Sequence, residues 1–183
     1  HRRLVTRLNV DQWRAQSERL IHDERFNDAL APLDRILSAK PGDLDAVRNR
    51  ALCVARLAMV EKDPGRKKAL EAGALEGIGS VIQRLPDTRW PYRVRAFLLK
   101  SFGREEEAAE DERKAASLRS PHPDFYEVQI DGILAFHSAD YAKAVEAFDE
   151  LIRRRPDSAD ERLWRASAYE ELGQPLKAMT DYE

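Results

Sequence analysis

The sequence predicts an all-α fold, a right-handed superhelix (solenoid) of about five stacked helix pairs. The first observation is a repeat near the carboxyl end, where small and aromatic residues recur after 34 positions: Gly132, Ala144 and Phe148 are followed by Ala166, Ala178 and Tyr182. The second is a 12-residue interval from an alanine to a proline that ends the unit, found from Ala29 to Pro41 and again from Ala144 to Pro156. A fixed period of this length is typical of stacked helix pairs.

The stretch from residue 140 to residue 155 shows why such a unit forms helices. Its apolar residues recur at steps of three and four and so form one helical stripe: Tyr141, Ala144, Val145, Phe148, Leu151 and Ile152. Ala144 is small enough to let a neighbouring helix approach closely, and Phe148, one turn later, fills the adjoining gap. Pro156 ends the unit, because proline donates no amide hydrogen bond and disfavours helical geometry in the residue before it.

We assign residues 1–183 to one repeat array, with units at about 10–42, 43–86, 87–121, 124–157 and 158–183, the last one truncated. The first unit is predicted to open near Val10, with Asp11 as its helix cap. An irregular connection over residues 120–123 precedes the fourth unit.

The second unit departs from the period. Pro41 and Pro86 are 45 residues apart, which leaves 11 residues beyond the expected 34. The apolar pattern runs without a break on both sides of the turn at Pro64, so we assign the excess to both helices as a lengthened hairpin. Gly73 and Gly77 in its second arm weaken a helix, and we explain them by close backbone packing.

The last unit resembles the tetratricopeptide repeat (TPR) family, through the series Tyr169, Gly173, Ala178 and Tyr182. The resemblance implies an interaction scaffold in which the first helix of each pair lines a concave face that holds an extended peptide. The partner is then a protein or peptide. The alternative function is a self-assembly or stacking module within a larger multidomain bacterial protein. A helical-repeat RNA binder or an enzyme is less favoured.

Applied to this chain, the resemblance places three arginines at equivalent turns of successive first helices, where they would form a column of positive charge: Arg14, Arg48 and Arg93. Polar and aromatic side chains of the same or following helices would point into the groove: Asn49, Trp90, Phe97, Tyr126 and Phe136. Arginine and aromatic residues are frequent binding anchors, so we predict an acidic, aromatic-containing ligand. The alternative is that these arginines are ordinary solvated residues and these aromatics belong to the core.

Composition excludes several function classes. The formal charge is −2 and 35% of the residues are charged, which indicates a soluble surface of mixed sign and argues against a nucleic-acid binder. No apolar run approaches the roughly 18 residues that a membrane span needs, and no signal-peptide core is present. Cys53 is the single cysteine, the four histidines lack metal-site spacing, and no phosphate-binding loop occurs. We therefore predict no enzyme activity, no cofactor and no metal; the compartment is not predicted.

The carboxyl-terminal unit carries more apolar residues than one preceding helix can cover. We predict either further repeats in a longer parent protein, of which this chain is an excerpt, or self-association through this surface. The residues assigned to self-association are Leu163, Trp164, Leu176, Met179 and Tyr182. A monomer in which Trp164 is already buried within its own chain would refute self-association.

Overall fold

The computed structural model describes residues 2–118 and 124–182, with side chains from residue 9 onward. This part of the chain forms ten α-helices and no strand. In chain order the helices are α1 (Arg2–His22), α2 (Phe26–Ala39), α3 (Leu44–Val60), α4 (Pro64–Arg84), α5 (Arg89–Ser101), α6 (Glu105–Ser117), α7 (Phe125–His137), α8 (Tyr141–Arg154), α9 (Ala159–Glu171) and α10 (Pro175–Tyr182). The expected connection at residues 120–123 lies outside the described residues.

The chain divides into two compact units, His1–Ser117 with α1 to α6 and Leu118–Glu183 with α7 to α10. Within each unit the main packing partner of every helix is the helix next to it in sequence, and in the first unit α3 also contacts α5. This arrangement of sequential helix pairs confirms the prediction of an all-α helical-repeat solenoid.

One alanine in the second helix of each pair is buried. The five alanines are each at most 1% exposed: Ala29, Ala74, Ala108, Ala144 and Ala178. Three of them, Ala29, Ala144 and Ala178, are repeat positions identified in the sequence. A larger side chain there would separate the paired helices, because protein interiors leave little free volume.

Gly132 of α7 shows how tight this packing is in the second unit. A Cβ atom at Gly132 would lie 2.8 Å from Cζ of Phe148 and 3.2 Å from Cβ of Ala147, both on α8. Phe148 is fully buried, and its ring stacks on that of Trp164 with 6.0 Å between the ring centroids. The glycine is therefore required by contact between two helices.

The second helix pair is the lengthened one, as predicted. Its helices have 17 and 21 residues, whereas α2 and α5 to α9 have 13 or 14. Asp43 and Asp63 cap the two helices by accepting hydrogen bonds from backbone amides, at 3.1 Å and 2.7 Å. The explanation of Gly73 by close packing is wrong, because nothing within 4 Å would meet a Cβ atom there, and at Gly77 only an ordinary 3.9 Å contact would form.

The first helix begins earlier than the sequence suggested. α1 runs from Arg2, so Asp11 is an exposed residue inside the helix and not its cap. The correction has a physical reason, because Val10 is fully buried and shares a stripe with Ser17 and Ile21, at 1% and 5% exposure. Packing of that stripe extends the helix past an aspartate that would favour a helix start.

Two helix pairs are braced by the same arginine–aspartate contact. Arg95 of α5 donates two hydrogen bonds of 2.7 Å to Asp111 of α6, sixteen residues later. Arg165 of α9 likewise forms a two-pronged contact with Asp181 of α10, and a further one with Asp149 of α8. Hydrogen bonds to the carboxylates of Asp181 and Asp149 raise the pKa of Arg165. Such forked pairs hold two helices in a fixed register.

His22, at the end of α1, gives the first unit a pH-dependent stability. Burial lowers the pKa of His22 from 6.5 to about 4. Below pH 6.5 the unfolded chain therefore binds a proton that the folded chain does not bind until pH falls to about 4. We expect the free energy of unfolding to fall by about 2 kcal/mol between pH 8 and pH 5 through this group alone.

Urea unfolding of the wild type and of His22→Gln at both pH values measures this contribution. The carboxylates common to both proteins cancel in the comparison. An equal loss of stability in the two proteins would contradict the assignment.

Candidate protein-binding surface

The first helices of the first unit share one face. Nη2 of Arg14, in α1, lies 2.7 Å from Oδ2 of Asp43 at the start of α3, and its Nη1 lies 3.7 Å from Asp45. Arg48, one turn into α3, lies 3.1 Å from Asp45 on its other side. Burial lowers the pKa of Arg14, but the charge and hydrogen bond of Asp43 outweigh it, so the net shift is upward. We call these four residues the arginine–aspartate cluster.

This geometry corrects the predicted column of positive charge formed by Arg14, Arg48 and Arg93. Arg48 is only 4% exposed, and its Nε donates a hydrogen bond of 3.1 Å to the side chain of Asn49. Asn49 is itself 6% exposed, so it does not point into a groove. Two aspartates balance the two arginines of the cluster. Sequence reasoning missed Asp43 and Asp45, although an aspartate before the apolar stripe of α3 signals a helix cap and acidic residues are enriched in a first turn.

The remaining predicted residues of the first unit lie on α5. Arg93 and Phe97 are half-buried, one turn apart. Trp90 is 3% exposed and belongs to the core, so its assignment as a groove residue is wrong. Burial of its apolar surface stabilises the first unit, and the side chain is therefore not accessible to a ligand.

In the second unit, Tyr126 and Phe136 are both half-buried residues of α7. Phe136 meets the rings of Tyr141 and Trp164 edge to face, with centroids 5.4 Å and 5.2 Å apart. Trp164 is 5% exposed and thus buried within its own chain. Phe136 therefore holds α7 against α8 and α9, and only part of its ring remains at the surface.

A buried carboxylate at the start of α9 was not predicted. Glu161 is 2% exposed, accepts a hydrogen bond of 2.8 Å from Gln129 of α7, and also accepts one from Ser158. Burial raises the pKa of Glu161, and the bond from Gln129 offsets this in part. The Ser158-x-x-Glu161 spacing is a sequence signal for a helix start. The carboxylate joins the two first helices of this unit.

The carboxyl-terminal helix carries exposed apolar side chains. Leu176, Met179 and Tyr182 of α10 are 80%, 57% and 51% exposed. Leu163 is half-buried, and Trp164 is covered by the aromatic rings described above. The predicted self-association surface therefore loses Trp164, its largest side chain, and is reduced to the α10 ridge, defined as Leu176, Met179 and Tyr182.

None of the described helices combines the length and apolar character that a bilayer crossing requires. Across residues 2–118 and 124–182, histidine, cysteine and carboxylate side chains do not gather in the groups of three that hold a metal ion. Cys53 is buried, which raises the pKa of its thiol to about 12.

Comparison with known proteins gives a fold and not a close relative. No family model matches the chain, and no curated protein matches it. Among solved structures, a tetratricopeptide repeat protein from Parabacteroides merdae is 18% identical, with a TM-score of 0.50 over 95% of this chain and 63% of its own. MamA from Desulfovibrio magneticus, from residue 41 to the end, is 13% identical, with a TM-score of 0.50 over 95% of this chain and 91% of its own.

A third similar structure, the P58(IPK) TPR domain, is 22% identical, with a TM-score of 0.46 over 94% of this chain and 48% of its own. At these identities the likeness concerns the fold, and the first two structures carry it. The helix pairs, their buried alanines and these comparisons together show a tetratricopeptide-like fold.

Proposed function

We propose that this protein is a non-catalytic scaffold that binds a peptide or protein segment on the face formed by its first helices. The observation that supports this most directly is the junction of first helices in the first unit. Arg14 joins α1 to α3, and α3 contacts α5, the first helix that carries half-buried Arg93 and Phe97. A preformed face of this kind binds without a large ordering cost.

The proposed ligand carries carboxylates and an aromatic residue. Arg14 keeps 25% of its side chain exposed, and its contact with Asp45 is long, at 3.7 Å, so a ligand carboxylate competes with Asp45 for this guanidinium. Exposed ion pairs contribute at most about 1 kcal/mol each, so charge selects the partner and speeds association. Affinity comes from apolar contact with Phe97 of the first unit.

The double variant Arg93→Glu/Phe97→Ala tests this proposal. Fluorescence anisotropy with a pool of labelled acidic, aromatic-containing peptides is expected to show binding weakened by about tenfold or more. Arg113→Glu, an exposed charge reversal on α6, is the matched control and should bind as the wild type does. Equal binding by all three proteins, with unchanged circular dichroism, would refute the proposed face.

The second candidate function is self-association through the α10 ridge, now without Trp164. Three apolar side chains spaced by three residues and more than half exposed form a stripe that water solvates poorly. A second copy of this chain is the proposed occupant, since the same ridge on both copies can form a symmetric contact.

Sedimentation velocity at micromolar concentration measures this. We expect a dimer for the wild type and a monomer for Leu176→Glu/Met179→Glu. Val60→Glu changes an equally exposed apolar residue in the first unit and should leave the dimer intact. A wild type that sediments as a monomer would rule out self-association.

A further inference from the structure

The lengthened second pair leaves apolar residues at the surface of the first unit. The end of α3 and the start of α4 form the turn of this pair, and we call residues 57–69 the hairpin tip. Met59 and Val60 are 53% and 74% exposed at this tip. Both side chains are therefore accessible to a partner.

A cleft of about 500 Å³ opens between the end of α3 and the turn that joins α1 to α2. Its apolar lining comes from Phe26, Leu57, Met59 and Val60. Arg56 closes one side, with its guanidinium 5.2 Å from the centre of the Phe26 ring and 3.5 Å from Glu24. Arg25 and Asp28, which also line the cleft, form a second ion pair of 2.7 Å. The cleft is thus an apolar pocket with two ion pairs at its rim, a composition suited to a side chain of a partner.

The hairpin tip also carries a surplus of positive charge. Residues 61–68 contain four basic and two acidic residues. Both carboxylates are occupied by the chain itself: Asp63 caps α4, and Glu61 accepts hydrogen bonds of 2.9 Å and 3.0 Å from the backbone amides of Lys62 and Asp63. Lys62, Lys67 and Lys68 are exposed and follow Val60 within eight residues along the chain.

We propose that the hairpin tip is a second docking site, separate from the first-helix face, for a protein segment in which an apolar side chain is flanked by carboxylates. The apolar side chain fills the cleft against Met59 and Val60, and burial of that surface provides the affinity. The lysines attract the flanking carboxylates and favour acidic segments over neutral or basic ones. Charge complementarity therefore selects the partner of this cleft.

Random twelve-residue peptides displayed on phage provide the probe. Selection on the wild-type protein, with counter-selection on Met59→Glu/Val60→Glu, is expected to enrich peptides with an apolar residue next to aspartate or glutamate. Each enriched peptide should bind at least about tenfold more weakly to that variant and to Lys62→Glu/Lys67→Glu/Lys68→Glu. Leu172→Glu, which places the same charge on an exposed apolar residue directly after α9, is the matched control and should bind as the wild type does.

Two outcomes would overturn the proposal. One is enrichment of peptides without carboxylates, or of peptides that bind the tip variants as well as the wild type. The other is binding to vesicles of phosphatidylserine and phosphatidylcholine that the lysine variant abolishes while no peptide is enriched, which would assign the tip to an anionic lipid surface. The Arg93→Glu/Phe97→Ala variant should retain tip-directed peptides, so failure of the first-helix proposal is distinguishable from failure of this one.

Discussion

Replacing Gly132 with valine is expected to lower the free energy of unfolding of the second unit by about 3 kcal/mol. The added Cβ atom would begin 2.8 Å from the Phe148 ring. That ring is fully buried and stacked on Trp164, so it has no space into which to turn. Urea unfolding followed by the fluorescence of the three tryptophans and by circular dichroism measures the change.

The alanine substitution at two glycines provides a matched control. Gly132→Ala should destabilise the protein although alanine favours a helix, whereas Gly73→Ala, where a Cβ atom meets nothing within 4 Å, should stabilise it by up to about 1 kcal/mol. Phe148→Leu combined with Gly132→Ala should cost less than the sum of the two single changes, because they relieve one shared contact. Shifts of the same sign at both glycines would contradict the close contact.

Replacing Arg165 with methionine is expected to cost about 3 kcal/mol, since it leaves a buried carboxylate without its counter-charge. The side chain of Asp181 is 3% exposed, and Arg165 also holds Asp149. Methionine retains most of the aliphatic packing of arginine, so the loss reports the charge contacts. Thermal and urea unfolding at pH 7 measure it.

A second substitution separates this mechanism from a general packing defect. Arg165→Lys keeps a positive charge beside Asp181 and should cost less than Arg165→Met. Arg95→Met is the matched variant in the first unit and should also cost less, because Arg95 is 31% exposed and contacts a single aspartate. Equal losses from Arg165→Lys and Arg165→Met would point to packing instead.

The sequence predicts the fold well because small and large side chains recur at fixed intervals, and their size decides where helices can pack closely. Ala144 and Ala178, 34 positions apart, are both buried. The excess of 11 residues over the period correctly predicted that α3 and α4 are long. The start of α1 was missed because an aspartate inside a helix looks like a cap when the buried stripe that overrides it is not yet known.

The candidate site is predicted less well, because periodicity identifies equivalent positions and not which of them neighbouring helices cover. Arg48 and Trp90 occupy first helices as expected, yet both are buried. The partners that neutralise Arg14 and Arg48 sit at a helix start, and their contact depends on how α1 meets α3. The Arg95–Asp111 and Arg165–Asp181 pairs do leave a trace in the sequence, a shared interval of sixteen residues.

The packing of each helix mainly against its neighbour in sequence also bears on how the chain folds. Native contacts then join residues that are close along the chain, so loop closure costs little entropy and folding within each unit is expected within about milliseconds. A helix pair such as α3 and α4 can fold first, and the next helix in the chain can then pack against it. The same locality lets evolution lengthen one hairpin by 11 residues while the pairs on either side keep helices of 13 or 14 residues at their junctions with it.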